Sequence, residues 1–244
     1  MANYELLSFA SADELARAAA RAWLDEIEAA NRAGKTFCVA LSGGRIAQIF
    51  FAATVAQARA QARARAVSFE RVHFFWADER CVPPTDPDSN FKMANELLLV
   101  PLKISADKIH RLRGEDSPSA AVKIAEAELC RIAPSNEQQQ PVLDLVFLGM
   151  GEDGHVASLF PGAAAKIMDI SVPFLVVKNS PKPPPTRISL SYKMIFAAKN
   201  IAILVSGAGK AAALRESLSP KGGTPLARVI QRRPVKIFSD LNKF

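Results

Sequence analysis

Short apolar runs of strand length alternate along the chain with Ala-rich stretches of helical period. Turn-forming residues bound the runs, which is typical of strands buried in a sheet. Strands are predicted at residues 36–41, 72–76, 107–112, 143–148, 174–177 and 201–205. Helices are predicted at residues 12–30 behind a capping box of Ser11 and Glu14, from Ser89 to near Pro101, and at residues 117–132.

The order of these elements predicts the fold class. Alternating strands and helices are the pattern of βα units stacked on one sheet, so we expect an α/β protein with a mostly parallel, doubly wound sheet flanked by helices. The Gln-rich stretch at residues 134–141 is short enough to be an ordinary surface loop, and the sequence holds no internal repeat. One domain is therefore expected over residues 1–244.

Composition and charge narrow the choice of partners. The chain is 49% hydrophobic and 23% charged, as in packed globular proteins, and its 31 Lys and Arg against 24 Asp and Glu give a net charge of +7. This excess favours anionic partners: nucleic acid, acidic membrane surfaces or phosphorylated metabolites. The basic residues form no stripe interleaved with aromatic residues, so we expect no nucleic-acid partner.

Cysteine usage and the apolar runs bear on location. Cys38, Cys81 and Cys130 are odd in number, far apart and without CxxC spacing, which indicates a reducing compartment. Residues 1–7 lack the features of a signal or transit peptide, and no apolar run approaches the roughly 20 residues that span a membrane. A cytoplasmic protein without a membrane partner is the expectation.

Glycine-rich turns follow three of the predicted strands. They comprise Ser42, Gly43, Gly44 and Arg45 after the first strand, residues 149–155 after the fourth, and residues 206–210, which end in Lys210, after the last. Such turns, with the helix N-termini behind them, bind anions through backbone N–H groups. Since ligands bind beyond the carboxyl ends of parallel strands, we expect the three turns to converge on one crevice.

Two loops also have interpretations that involve no ligand or catalysis. A plain tight turn explains Ser42 to Gly44 about as well as an anion site does, and no GxSxG elbow marks Ser42 as a nucleophile. Asp78, Glu79 and Arg80 offer carboxylates and a guanidinium that can orient groups or clamp a phosphate. Taken alone, these three residues are more typical of a surface cluster of ion pairs.

His155 is the residue best placed for chemistry. It ends a glycine-dense turn at the carboxyl end of a predicted strand, two residues after Asp153. A histidine held there can act as a general base near neutral pH. His73 and His110 lie within predicted strands, and we interpret both as structural. The sequence has no HExxH motif, histidine pair or cysteine cluster, so no metal site is expected.

Five ordered stretches of the chain resemble the 6-phosphogluconolactonase family. They are residues 41–45, residues 76–84 with 88–90, residues 143–162, residues 180–185 with 187–188, and residues 207–211. The most specific is 149–162, because Ser158, Leu159, Phe160 and Pro161 stand where the related glucosamine-6-phosphate deaminases carry Phe-Asn-Glu-Pro. Glu152 departs from the family pattern, in which proline is common at that place.

The resemblance implies hydrolysis of 6-phospho-D-glucono-1,5-lactone to 6-phosphogluconate in the pentose phosphate pathway, without a cofactor. It makes a phosphorylated sugar lactone the small-molecule partner. His155 would deprotonate water, and Asp153 or a nearby backbone carbonyl would fix its tautomer. The backbone N–H groups of Gly43 and Gly44, with Arg80, would stabilise the oxyanion. The expected substrate-binding set is Ser42, Gly43, Gly44, Arg45, Asp78, Lys182, Arg187 and Lys210.

Two other functions stay open at this point. A deaminase-type isomerase would use a similar histidine to open a sugar ring and release ammonia. A non-catalytic module would bind a sugar phosphate without turnover. The sequence also leaves the oligomeric state open between monomer and dimer.

Overall fold

The computed structural model describes residues 3–61, 67–162 and 170–241. The strands are β1 (Tyr4–Ser8), β2 (Phe37–Leu41), β3 (Val72–Trp76), β4 (Asp78–Arg80), β5 (Leu145–Gly149), β6 (Phe174–Val177), β7 (Arg187–Leu190), β8 (Asn200–Val205) and β9 (Val235–Ser239). The helices are α1 (Ala12–Arg32), α2 (Arg45–Gln61), α3 (Asn90–Ala94), α4 (Pro118–Ile132), α5 (Tyr192–Ala197), α6 (Ala211–Leu218) and α7 (Pro225–Arg232).

A six-stranded sheet in the order β1-β9-β8-β5-β2-β3 forms the centre of the fold, and all its neighbouring strands pair in parallel. This confirms the predicted α/β class with a mostly parallel sheet flanked by helices. Every residue of β2 is buried, as expected for a strand covered on both faces. The chain leaves β2 toward β3 on one side and returns to β5 on the other, so a crevice opens between the carboxyl ends of β2 and β5.

A second sheet, which the sequence analysis did not predict, has three antiparallel strands in the order β4-β7-β6. Its register places Asp78 opposite Ser189 and Arg80 opposite Arg187. The strand β4 is Asp-Glu-Arg, so it carries none of the apolar alternation by which a strand is recognised. This sheet brings charged side chains from distant parts of the chain beside the crevice.

The first helix shows how the core is built. Ser11 caps α1 by accepting a hydrogen bond from the N–H of Glu14 at 3.2 Å, while the Glu14 carboxylate accepts from the N–H of Ala10 at 3.1 Å. The buried face of α1 includes Trp23, whose ring lies within 5.3 Å of the Phe147 ring and 5.6 Å of the Phe50 ring. The aromatic cluster thus joins α1 to α2 and to β5, beneath the crevice.

One strand prediction was wrong. Residues 107–112 form no strand; a 3₁₀ turn at Ala106–Lys108 is followed by irregular chain in which Ile109 alone makes a bridge, to Phe74. His110 therefore lies outside any strand, and its ring nitrogen is 2.9 Å from that of His73. The helix expected from Ser89 starts there as α3 and continues as a π-helical turn, Asn95–Leu99. Within the described ranges, no helix has the length and apolar character needed to cross a membrane.

Candidate active site

A pocket of about 110 Å³ lies at the carboxyl ends of β2 and β5, where the strand order predicts a crevice. Turns that follow these strands meet there with side chains from β4, β7 and the start of α6. The lining residues are Ser42, Gly43, Gly44, Arg45, Ile46, Asp78, Arg80, Asn90, Gly149, Met150, Gly151, His155, Ala157, Arg187 and Lys210. A larger cavity of about 380 Å³ lies between α1 and the strands β1, β9, β8 and β5, and shares no lining residue with this pocket.

The turn after β2 presents its backbone to the pocket. Ser42 does not point its hydroxyl at a base; the Oγ donates to the carbonyl of Phe147 at 2.9 Å and so ties the turn to β5. Gly44 has φ +97°, a left-handed conformation that favours glycine, and α2 begins at the next residue. The helix therefore directs unpaired N–H groups and the positive end of its dipole at the pocket.

His155 and Asp153 form a hydrogen-bonded pair in the turn after β5. The Nδ1 atom of His155 is 2.5 Å from Oδ1 of Asp153, and the N–H of Gly151 donates to the carbonyl of His155 at 2.9 Å. A Cβ atom on Gly151 would lie 2.0 Å from Nδ1 of His155, so the imidazole can occupy this place only because residue 151 has no side chain. The carboxylate holds the proton on Nδ1, which leaves Nε2 as the acceptor.

Burial and charge set the protonation of this pair. Burial lowers the pKa of His155 below its usual 6.5, although the hydrogen bond and charge of Asp153 act in the opposite sense. Burial, the largest single effect, would raise the pKa of Asp153, but its hydrogen bonds and the charge of His155 together outweigh burial, and the pKa is lowered. At neutral pH the pair therefore consists of a neutral imidazole and an ionised carboxylate, the state that accepts a proton.

Asp78 anchors the side of the pocket formed by β4. Its Oδ2 atom accepts a hydrogen bond from Oγ of Ser158 at 2.6 Å. The side-chain amide of Asn90 donates to the Asp78 carbonyl at 2.9 Å and to Oδ1 at 3.3 Å. Both carboxylate oxygens of this buried residue are thus engaged by protein groups, and Asp78 links β4 to the turn after His155.

Two arginines lie opposite each other on neighbouring strands of the second sheet. Arg80 and Arg187 are register partners on β4 and β7. Arg187 is buried, donates to carbonyls in the proline-rich loop that includes Lys182, and stacks over the ring of Phe160. Burial and then the nearby Arg80 charge lower the pKa of Arg187. Like charges placed directly opposite destabilise a sheet, so this arrangement favours an anion between them.

A second pair of cations lies on the other side of the pocket. Lys210 ends the 3₁₀ turn Ala208–Lys210, and α6 follows at once. Burial and then the charge of Arg45 lower the pKa of Lys210. The turn itself is held from β9, because Asp240 accepts hydrogen bonds from Oγ of Ser206 at 2.6 Å and from the N–H of Gly207 at 3.1 Å. No sequence signal had pointed to Asp240.

Most of the residues that the sequence singled out come together at this pocket. Asp153 does not line it but orients His155, and Lys182 is exposed outside it, near enough to lower the pKa of both His155 and Lys210. Sequence reasoning missed Asp240. Asn90 had been noted only as part of a matching segment. Glu79 had been noted with its neighbours as a carboxylate of the loop, but its burial between Asp78 and Arg80 has no local pattern to mark it.

Comparisons with known proteins agree with this geometry. Residues 10–238 match the profile of a family described as glucosamine-6-phosphate isomerases/6-phosphogluconolactonase. A rice protein (Oryza sativa subsp. indica) named probable 6-phosphogluconolactonase 3, chloroplastic, is 38% identical over 194 residues. That match covers 76% of this chain and 57% of the rice protein, so the chain spans little more than half of that relative.

A bacterial relative and a solved structure are similar over more of their length. The protein named 6-phosphogluconolactonase from Haemophilus influenzae is 38% identical over 178 residues, which cover 73% of this chain and 72% of that protein. The structure of 6-phosphogluconolactonase from Trypanosoma brucei is 28% identical, with a TM-score of 0.84 over 98% of this chain and 97% of that one.

Proposed function

The chain belongs to the glucosamine-6-phosphate isomerase/6-phosphogluconolactonase family, and we propose that it hydrolyses 6-phospho-D-glucono-1,5-lactone to 6-phospho-D-gluconate. One observation carries the proposal. The His155–Asp153 pair opens onto a pocket with glycine N–H groups on one side and four cationic side chains around it. A base, an oxyanion site and anion-binding groups are what hydrolysis of a phosphorylated lactone requires.

The base acts through Nε2 of His155. Because Asp153 holds the proton on Nδ1, the lone pair on Nε2 takes a proton from water as the water oxygen bonds to the lactone carbonyl carbon. The charge that moves to the carbonyl oxygen is stabilised by the N–H groups of Gly43 and Gly44. When the tetrahedral intermediate collapses, the bond to the ring oxygen breaks and Nε2 returns its proton there, which leaves a hydroxyl and a carboxylic acid that ionises.

The phosphate is bound by cations at the edge of the pocket. Arg187 and Arg80 offer planar donors that match phosphate oxygens, while Lys210 and Arg45 supply charge from the other side. An anion between such groups relieves the repulsion within each pair. Lys182, outside the pocket, contributes charge at longer range.

The segment after His155 supports a lactonase over a deaminase-type isomerase. The hydroxyl of Ser158 donates a hydrogen bond to the Asp78 carboxylate, and the Phe160 ring packs against the His155 ring with 4.7 Å between centroids. Thus no carboxylate stands in the place where the deaminases carry the glutamate of Phe-Asn-Glu-Pro. A module that binds without turnover would have no use for a histidine oriented by a carboxylate.

To test this, the lactone is generated in situ from glucose 6-phosphate, and the formation of 6-phosphogluconate is measured at mildly acidic pH, where spontaneous hydrolysis is slow. Wild type should exceed the background, and His155→Ala should lower kcat by about 10²-fold or more with little change in binding. His73→Ala is the matched control, since that histidine lies outside the pocket. Wild-type activity equal to background, or ammonia release from glucosamine 6-phosphate, would overturn the proposal.

We propose the cytoplasm as the site of this activity and a single lactonase-like domain over residues 1–244. The absence of disulfides among the described cysteines is compatible with a reducing compartment. Fractionation of cells with an antibody to the chain tests the location, and recovery with an organelle, as the names of the rice relatives would suggest, would contradict it.

A further inference from the structure

Glu79 is a buried charged residue next to two residues that line the pocket, and the proposed mechanism gives it no role. It is 1% exposed and sits in the centre of β4, between Asp78 and Arg80. Burial raises its pKa to about 7, although the hydrogen bonds that it accepts act in the opposite sense. A carboxylate taken out of water is costly unless donors surround it, so its contacts indicate what it stabilises.

Four donors converge on the Glu79 carboxylate. Oε1 accepts from the N–H of Arg80 at 2.7 Å and from the N–H of Asn90 at 2.8 Å. Oε2 accepts from the N–H of Phe91 at 2.7 Å and from Oγ of Ser89 at 3.1 Å. Three of these donors belong to the start of α3, so Glu79 fixes where that helix begins.

The start of α3 in turn determines two groups of the pocket. The carbonyl of Asp88, one residue before Ser89, accepts from the Arg80 guanidinium at 2.6 Å. The side chain of Asn90 is held by Asp78, and its Oδ1 faces Cα of Gly43, where an added Cβ would lie 1.8 Å away. This Oδ1 has no hydrogen-bond donor among the described residues. Displacement of the helix start would therefore move both Arg80 and the turn at Gly43.

We infer that Glu79 is a positioning residue for substrate: through the start of α3 it sets the Arg80 guanidinium for the phosphate and the Gly43 turn for the oxyanion. The inference rests on the proposed function, because it assigns Arg80 and Gly43 the roles given above. Glu79 itself does not touch substrate. It acts by holding residues 88–91 against β4.

The test measures binding of 6-phosphogluconate and of gluconate by calorimetry, and KM and kcat for the lactone, in wild type and Glu79→Gln. The side-chain amide of the glutamine would point its N–H groups at the backbone N–H groups that Glu79 now accepts from. Two donors cannot hydrogen-bond to each other, so the start of α3 must shift. We expect affinity for 6-phosphogluconate to fall about tenfold or more, as for loss of a charge-assisted contact, with affinity for gluconate changed less. Asp144→Asn is the matched control.

Asp144 is a fair control because it is also a buried carboxylate that accepts a backbone N–H, from Cys38 at 2.7 Å, and it lies before the amino end of β5. Selective loss of phosphorylated ligand in Glu79→Gln, absent from Asp144→Asn, supports the inference. Unchanged affinities in folded Glu79→Gln, or the same loss in Asp144→Asn, overturn it.

If Glu79→Gln does not fold, Ser89→Ala decides. It keeps the carboxylate but removes one of its donors and the cap of α3, so a smaller loss of the same selectivity is expected and an unchanged ratio of affinities overturns the inference. If wild type and the variants bind 6-phosphogluconate equally well, only the role of Glu79 is refuted. If wild type binds no sugar phosphate, the proposed function itself is refuted.

Discussion

Replacing Gly151 by alanine is a direct test of the His155–Asp153 pair, because it adds one methyl group beside the imidazole. The new Cβ would lie 2.0 Å from Nδ1 and 2.1 Å from Cε1 of His155, and 2.5 Å from Oδ1 of Asp153. The ring must retreat by roughly 1.4 Å to reach an ordinary contact distance of about 3.4 Å. The hydrogen bond between the two side chains cannot survive that displacement unchanged.

The expected loss follows from the displacement. A catalytic group misplaced by about 1 Å costs on the order of 10²-fold in rate, or about 2.7 kcal/mol in the activation free energy. We expect kcat of Gly151→Ala to fall by about that factor, while affinity for 6-phosphogluconate changes little because the cations are not moved. Steady-state kinetics of lactone hydrolysis, with calorimetry for the product, separates the two effects.

Gly149→Ala is the matched control for this experiment. Gly149 lines the same pocket, but a Cβ there would have its nearest neighbour at 3.8 Å, the carbonyl oxygen of Gly43, which is an ordinary contact. This variant should keep most of the wild-type kcat. Equal losses in the two variants, or an unchanged kcat in Gly151→Ala, would show that the position of the imidazole does not limit the reaction and would refute the mechanism.

Three further predictions concern charge. Lys210→Ala should raise KM for the phosphorylated lactone about tenfold or more and leave the unphosphorylated lactone less affected; equal effects on both substrates would remove Lys210 from the phosphate site. Because burial lowers the pKa of His155 below its usual 6.5, the imidazole takes up a proton only at a pH below that value, and kcat/KM should fall as the pH drops through the lowered pKa. A pH–rate profile checks this, and an inflection above pH 6.5 contradicts it. Burial lowers the pKa of His73 to about 4 and also lowers that of its partner His110. The unfolded chain therefore binds more protons than the folded chain between about pH 4 and 6.5, so the free energy of unfolding should decline by roughly 1 kcal/mol or more as pH falls from 6.5 to 4. Urea unfolding tests this, and a His73→Phe variant with the same decline would exclude His73 as its source.

The sequence by itself determined the main elements of this protein and the turns that carry its chemistry. Apolar runs placed β3 and β6 at the residues where the structure has them, and capping residues placed the starts of α1 and α3. These features are local: burial selects the apolar run, and a side chain satisfies the free N–H groups of the helix that it precedes. The turns after β2, β5 and β8 are also local features, because their glycines closely follow apolar runs in the sequence.

Only the tertiary structure decided which of these groups meet. Arg80 and Arg187 become neighbours through strand pairing across more than a hundred residues, and β4 has no apolar pattern by which that pairing can be foreseen. Glu79 looks like a surface charge in the sequence, yet it is buried because four donors from its own strand and from α3 surround it. Hydrogen bonds between distant segments have no periodicity along the chain, so their partners are fixed only when the sheets and helices pack.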